Sequence, residues 1–348
     1  MTEQKEMPEL IETEAELDRL LARPYPELVA LMRRLEGDVI ILGIAGKMGV
    51  SLGTLAINAV RASGVPRQVY GVSRFTDASA WQALEEQGII PLRCDLLDPV
   101  AVKTLPRVAN VIFMAGRKFG TIGEEDLTWA MNVLVPAHVC EHFRTSRIVA
   151  FSTGCVYPLV SLEEGGRTES DAPEPVGEYA QSCLGRERMF GYFSRLHNIP
   201  LCFIRLNYAL DLRYGVLHDL ATRIWEEQPV DRTVGFFNAI WQGDANNQAL
   251  LSLNHCSSPP TVLNLTGPET VSVTEVAKAL GTLLNKRVQF KGDPGAKAYL
   301  NDASHAHRLF GLPRVQMEQV LRWTADWIRR SGRSLDKPTH FEAADGRY

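Results

Sequence analysis

Residues Gly37 to Gly53 read GDVIILGIAGKMGVSLG, an apolar run that turns through glycines into a helical pattern. Val39, Ile40, Ile41 and Leu42 form an uninterrupted, β-branched-rich stretch, which suits a strand buried on both faces of a parallel sheet. Gly43, Gly46 and Gly49 follow at Gly-x-x-Gly-x-x-Gly spacing. Such a turn brings backbone N–H groups and a helix N-terminus up to a pyrophosphate, and Lys47 inside it offers a countercharge.

Downstream, strand and helix alternate. Gln68–Ser73 is a second strand, Ile89–Arg93 a third leading into Cys94-Asp95-Leu96, Asn110–Ala115 a fourth followed by GRKFG at 116–120, and Arg147–Ser152 a fifth. A helix over 124–143 separates the last two, one over 177–196 precedes a sixth strand at 200–206, and a short strand at 261–265 returns to the same sheet. This order predicts an α/β fold of the Rossmann type, a doubly wound parallel sheet with ligands at the carboxyl ends of its strands. Residues 38–208 form that domain, 1–37 a helical arm, 209–330 a smaller interleaved C-terminal substrate lobe, and 331–348 a polar tail without periodicity and partly mobile. At the end of the second strand stands Ser73-Arg74 in place of the acid that holds a ribose 2′-hydroxyl. A neutral residue and a guanidinium there favour a 2′-phosphate, so NADP is expected, with NAD as the alternative.

The 348 residues are 45% hydrophobic and 22% charged, with net charge -4 and pI near 6.1, which leaves no basic footprint for nucleic acid. No apolar run reaches membrane-spanning length and the acidic N-terminus is unlike a signal peptide, so a cytoplasmic protein acting on a small molecule is expected. Six scattered cysteines show no Cys-x-x-Cys spacing, and neither a disulfide nor a metal site is expected.

The order of motifs resembles the extended short-chain dehydrogenase/reductases, the NAD(P)-dependent epimerase/dehydratase group. The resemblance rests on the glycine turn, Asp95-Leu96, Ser152-Thr153 ahead of Tyr157, Tyr179 with Glu187, GDAN at 243–246, LNLTGPETVS at 263–272 and NDASHAHRLFG at 301–311. It implies that Gly43, Gly46, Met48 and Gly49 cradle the pyrophosphate, that Asp95 and Leu96 bracket the adenine, and that Ala115 and Gly116 line the way to the nicotinamide ribose. Asn132 falls near the family's structural asparagine, Thr153 matches the hydroxyl that orients a substrate oxygen, and Tyr179 matches the proton carrier. Hydride transfer at a hydroxyl-bearing carbon of a carbohydrate or sugar nucleotide is the reaction implied, in a homodimer built on the helices at 125–143 and 178–195. Leu184, Phe190 and Phe193 are candidates for that contact.

One position departs from the family pattern. A lysine is expected one helical turn after the tyrosine, and Cys183 stands there. Lys118, in the turn after the fourth strand, is the candidate replacement, since that strand end faces the nicotinamide. The alternatives are a catalytically weak or inactive NADP-binding sensor, and a role for Cys183 itself. Asn207, Tyr208, Arg213 and Trp241 are the candidate substrate contacts.

Overall fold

A computed structural model describes residues 7–76, 78–118, 120 and 123–342. The first six and last six residues, and Phe119 of the GRKFG turn, lie outside the described residues. Seven strands form the central sheet: β1 Val39–Leu42, β2 Val69–Ser73, β3 Ile90–Arg93, β4 Asn110–Phe113, β5 Arg147–Thr153, β6 Leu201–Leu206 and β7 Thr261–Leu265. Their order is β7-β6-β5-β4-β1-β2-β3 and every neighbouring pair is parallel. Chain order reverses between β1 and β4, where Leu42 lies opposite both Val72 and Phe113, and this opens a crevice at the strands' carboxyl ends.

The chain's helices include α4 (Ala78–Gln87), α5 (Pro99–Lys103), α10 (Gln242–Leu251) and α12 (Ser304–Phe310) beside those that position the site. Successive side chains of β1 enter opposite cores, as the two-residue period requires. Val39 and Ile41 join Leu52, Leu55 and Ala56 of α3 (Gly49–Ser63) on one face. Ile40 and Leu42 join Val139 of α7 (Val135–His142) and Phe190 of α8 (Gly177–His197) on the other. The single helix expected over 124–143 is instead α6 (Glu125–Trp129), a π-helical turn (Ala130–Leu134) and α7. Pro136 explains the widening, because its ring would strike the carbonyl of Asn132 in regular α geometry.

The back half builds a second core around α9 (Val216–Trp225), α11 (Val273–Leu284) and α13 (Met317–Arg329), with Leu217, Leu220, Val276, Leu280 and Trp323 at its centre. Leu17 and Leu21 of α1 (Glu14–Leu21) enter that core, while Leu28, Leu31 and Met32 of α2 (Pro26–Arg34) join the core that holds α3. The arm therefore ties the two halves together. The tail is docked as far as residue 342. Leu335 N–H bonds to the Arg213 carbonyl at 3.0 Å, Thr339 N–H to the Asp219 carboxylate at 2.8 Å, and Phe341 is buried against Phe237. These anchors are specific to single residues, so they leave no periodic signal.

Candidate functional site

The turn after β1 passes so close to the turn after β4 that a Cβ on Gly43 (φ +92°) would lie 2.7 Å from the Ala115 nitrogen. At Gly49 it would lie 2.2 Å from the Ile44 carbonyl oxygen. Gly46 meets only the Gly43 carbonyl. Met48 caps α3 without a side-chain hydrogen bond, and since the Gly49 N–H turns back to the Gly46 carbonyl at 3.1 Å, the helix offers the N–H groups that follow it in the first turn. This backbone cradle, which Gly43 and Gly49 make possible because a side chain at either would strike backbone, fits a dinucleotide pyrophosphate.

Around it, Ser73 ends β2 and Arg74 stands exposed just beyond. Phe75 fixes the following bend at φ +45° by packing edge-on to Trp81. Asp95 is exposed after β3, accepting from Leu97 N–H at 3.0 Å, while Leu96 is buried beside it. Ala115 and Gly116 follow β4. Lys47 reaches from the turn towards the tail and the lobe: its Nζ donates to the Lys337 carbonyl at 3.0 Å and sits 5.1 Å from the Tyr214 ring centre. Burial, then the neighbouring Lys118, lowers the Lys47 pKa to about 8.

Thr153 closes β5, where its Oγ1 accepts from Cys155 N–H at 3.2 Å and caps the short turn that follows. It also hydrogen-bonds the Tyr179 hydroxyl from the first turn of α8. The Lys118 ammonium lies 5.7 Å from the centre of the Tyr179 ring. Sequence distance thus hides a compact cluster of Thr153, Tyr179, Cys183 and Lys118. Burial raises the Tyr179 pKa well above its ordinary value, with Cys183 and Cys155 adding to it. Arg186 and the Thr153 bond work the other way. Burial likewise lowers the Lys118 pKa, against the pull of Cys155, Cys183 and Asp219. Cys183 is fully buried and its thiol pKa is raised by that burial, which makes it a packing residue in this site.

Behind this cluster a polar chain holds β5, β6 and α8 in register. Arg205 grips Glu187 with Nε and Nη2 at 3.0 and 2.7 Å, Ser152 donates to the same carboxylate at 2.6 Å, and Arg205 reaches Tyr157, which donates to Asn264. Asn132 is fully buried and turned towards the loop that carries Lys118.

On the lobe side the candidates separate. Asn207 donates to Asn238 and, at 3.0 Å, to the Tyr299 carbonyl, and Tyr208 lies near Cys155 and Tyr299, so both border the cluster. Arg213 and Trp241 do not join it. The Arg213 guanidinium is engaged by Asp211 and, from α1, by Asp18 at 3.0 and 2.8 Å. Trp241 is 2% exposed and packs edge-on against Trp323. Arg186, Cys155 and Asp219 were not singled out from the sequence. Arg186 had one signal, since it continues the α8 face that carries Tyr179 and Cys183. Among the described residues no His, Cys, Asp or Glu cluster could hold a metal ion, and no helix is long and apolar enough to cross a membrane.

The sequence model of the NAD dependent epimerase/dehydratase family matches residues 39–209. Among solved structures, UDP-glucuronic acid 4-epimerase from Bacillus cereus, in complex with UDP-glucuronic acid and NAD, is similar at TM-score 0.69 and 18% identity, over 84% of this chain and 99% of that one. The UDP-glucose 4-epimerase of Thermus thermophilus in complex with NAD gives 0.68 and 18% over the same shares. MoeE5 in complex with UDP-glucose and NAD gives 0.67 and 21%, again over 84% and 99%. No curated protein matches the sequence significantly.

Proposed function

We propose that this chain, a member of the NAD dependent epimerase/dehydratase family through residues 39–209, transfers hydride to and from a hydroxyl-bearing carbon of a sugar nucleotide, with Tyr179 as the proton carrier. The observation that carries this reading is the Tyr179 hydroxyl bonded to Thr153 with the Lys118 ammonium over its ring, at the strand ends beside the glycine cradle.

Bound there, a nicotinamide dinucleotide supplies the hydride acceptor and donor. The rest belongs to this chain. Thr153 orients the substrate oxygen by hydrogen bonding, and Tyr179 takes up the hydroxyl proton at Oη and returns it. An isolated phenol with a pKa of about 10 is almost wholly protonated at neutral pH, and burial makes its phenolate rarer still, so the site needs a cation. Lys118 provides it from the turn after β4, in place of the lysine that Cys183 displaces from α8. The dinucleotide is NADP in this reading, because Ser73 carries no charge to repel a 2′-phosphate and the exposed Arg74 is placed to meet one. NAD is the alternative, favoured by its presence in the three similar structures.

The raised Tyr179 pKa and the cysteine at 183 support a second reading, a dinucleotide sensor with little or no turnover. Incubation with NAD or NADP and either UDP-glucose or UDP-glucuronic acid separates the two. An enzyme shows reduced nicotinamide at 340 nm or an epimerised sugar, and Tyr179→Phe lowers that rate by about 10²–10⁴-fold with dinucleotide affinity unchanged. Equal behaviour of the two chains overturns the enzyme reading. A homodimer completes the proposal. Leu134, Tyr192 and Leu196, 47%, 55% and 54% exposed, supply its apolar contacts on the helices around α7 and α8. Phe190 does not, being buried against Phe113 and Phe203.

A further inference from the structure

We infer that Asn132 and Arg186 are positioning residues that seat Lys118 over Tyr179. The cation absent from the tyrosine's own helix is thereby delivered by a loop clamped from below. This rests on the reading of Lys118 as part of the site.

The Asn132 side chain uses its whole hydrogen-bonding capacity. Its Oδ1 accepts from Arg117 N–H at 2.9 Å and from Arg186 Nη2 at 2.6 Å. Its Nδ2 donates to the Arg117 carbonyl at 3.0 Å and to Ser182 Oγ at 2.9 Å. Both backbone groups of the residue before Lys118 are therefore held by one buried amide, which fixes the direction in which the chain enters Lys118. The amide reaches them from the centre of the π-helical turn that Pro136 imposes, and such turns recur at functional sites. Arg186 anchors the clamp to the sheet. Its Nη1 donates to the Phe151 carbonyl in β5 at 2.8 Å, and its guanidinium lies 5.7 Å from the Phe113 ring centre in β4. Gly116 completes the fit, since a Cβ there would stand 2.3 Å from Arg186 Nη2 and 3.0 Å from Asn132 Oδ1. On its far side the loop is held by Arg117, which bonds Glu124 and the Gly120 carbonyl. The charged and titratable groups around Lys118 are Lys47 from the glycine turn, Asp219 from α9, Cys155 after β5, and Tyr179 and Cys183 on α8.

A purely architectural clamp would affect folding and leave the lysine's environment alone. Competitive acetylation of the full chain across pH, read at each lysine by mass spectrometry, measures that environment without turnover. Lys118 is expected to titrate below the ordinary lysine value in the unsubstituted chain. In Asn132→Ala and Arg186→Met its midpoint should rise towards that ordinary value, with kcat on UDP-glucose falling about 10²-fold and the KM for the dinucleotide unchanged. Arg186→Lys keeps a positive charge without a fork that spans Phe151 and Asn132, so it should behave like Arg186→Met. Ser182→Ala removes one of the four bonds and should shift Lys118 the same way by less. If Asn132→Ala does not fold, Ser182→Ala decides. An unmoved Lys118 midpoint in the folded variants overturns the inference. Unchanged turnover in Lys118→Met would instead remove the lysine's catalytic role and leave the seat standing.

Discussion

The sheet side and the lobe side face each other across one site, and they hold their polar groups in opposite ways. Along the carboxyl ends of β1, β2 and β4, the proposed dinucleotide contacts lie on short turns: the glycine cradle, Ser73-Arg74, and Ala115-Gly116. Across the cleft the polar side chains are bonded to one another. Asn207 holds Asn238, Tyr214 holds Gln242, and Thr339 holds Asp219. Backbone geometry suits one invariant ligand, because every copy of it offers the same phosphates. Mutually satisfied side chains suit selectivity, because a substrate must replace bonds that already exist, and one lacking the right groups leaves them broken.

The polar chain behind the cluster, on the sheet side, gives the largest expected effect on stability. Glu187→Ala leaves Arg205 buried and unpaired, and chemical denaturation should show a loss of about 3–5 kcal/mol. A loss under about 1 kcal/mol, the range of exposed pairs, would mean that water reaches the pair and that the register of β5, β6 and α8 is held by packing alone. Next comes the cofactor. Arg74→Ala should weaken NADP binding by about 1.5–3 kcal/mol, the range for hydrogen bonds to charged groups, and leave NAD affinity where it was. Equal losses for the two dinucleotides would remove the NADP assignment and blur the contrast between the two sides, since Arg74 would then be a general contact.

The smallest effect concerns Lys47, the one side chain of the glycine turn that reaches the lobe. Its pKa, lowered to about 8 by burial, means that the ammonium is half lost at that pH in the absence of ligand. A pyrophosphate favours the charged form, so binding above pH 8 takes up a proton and affinity falls as pH rises. Titration calorimetry in buffers of different ionisation enthalpy measures that uptake. Lys47→Met should abolish it at a cost of roughly 1 kcal/mol in affinity. Proton uptake that persists in the variant would assign it elsewhere.

What the sequence made legible follows the same division. The glycine turn, the strand ends and the parallel order are local patterns, and the structure has them within a residue or two of their expected limits. Thr153 and Tyr179 came from resemblance, and Lys118 from asking what could replace the missing lysine. Arg186 escaped notice because its contacts come from β4, β5 and a π-helical turn, and its spacing from Tyr179 and Cys183 announces only its face of α8 and not those partners. The partners of Arg213 and Trp241 were hidden for a related reason. Nothing in DLRYGVLHDLA shows that Asp18, on an arm far upstream in the chain, returns to take the guanidinium. Nothing near Trp241 shows that Trp323 covers it.

The central claim is that a loop-borne cation has taken over the work of a helix-borne one. The direct test is the single-turnover rate of hydride transfer, followed at 340 nm, in the unsubstituted chain, in Lys118→Met, and in Lys118→Met combined with Cys183→Lys. The account predicts a loss of about 10²-fold in the first variant, and recovery of much of it when the ammonium is returned to α8. A Lys118→Met chain as fast as its parent would contradict it.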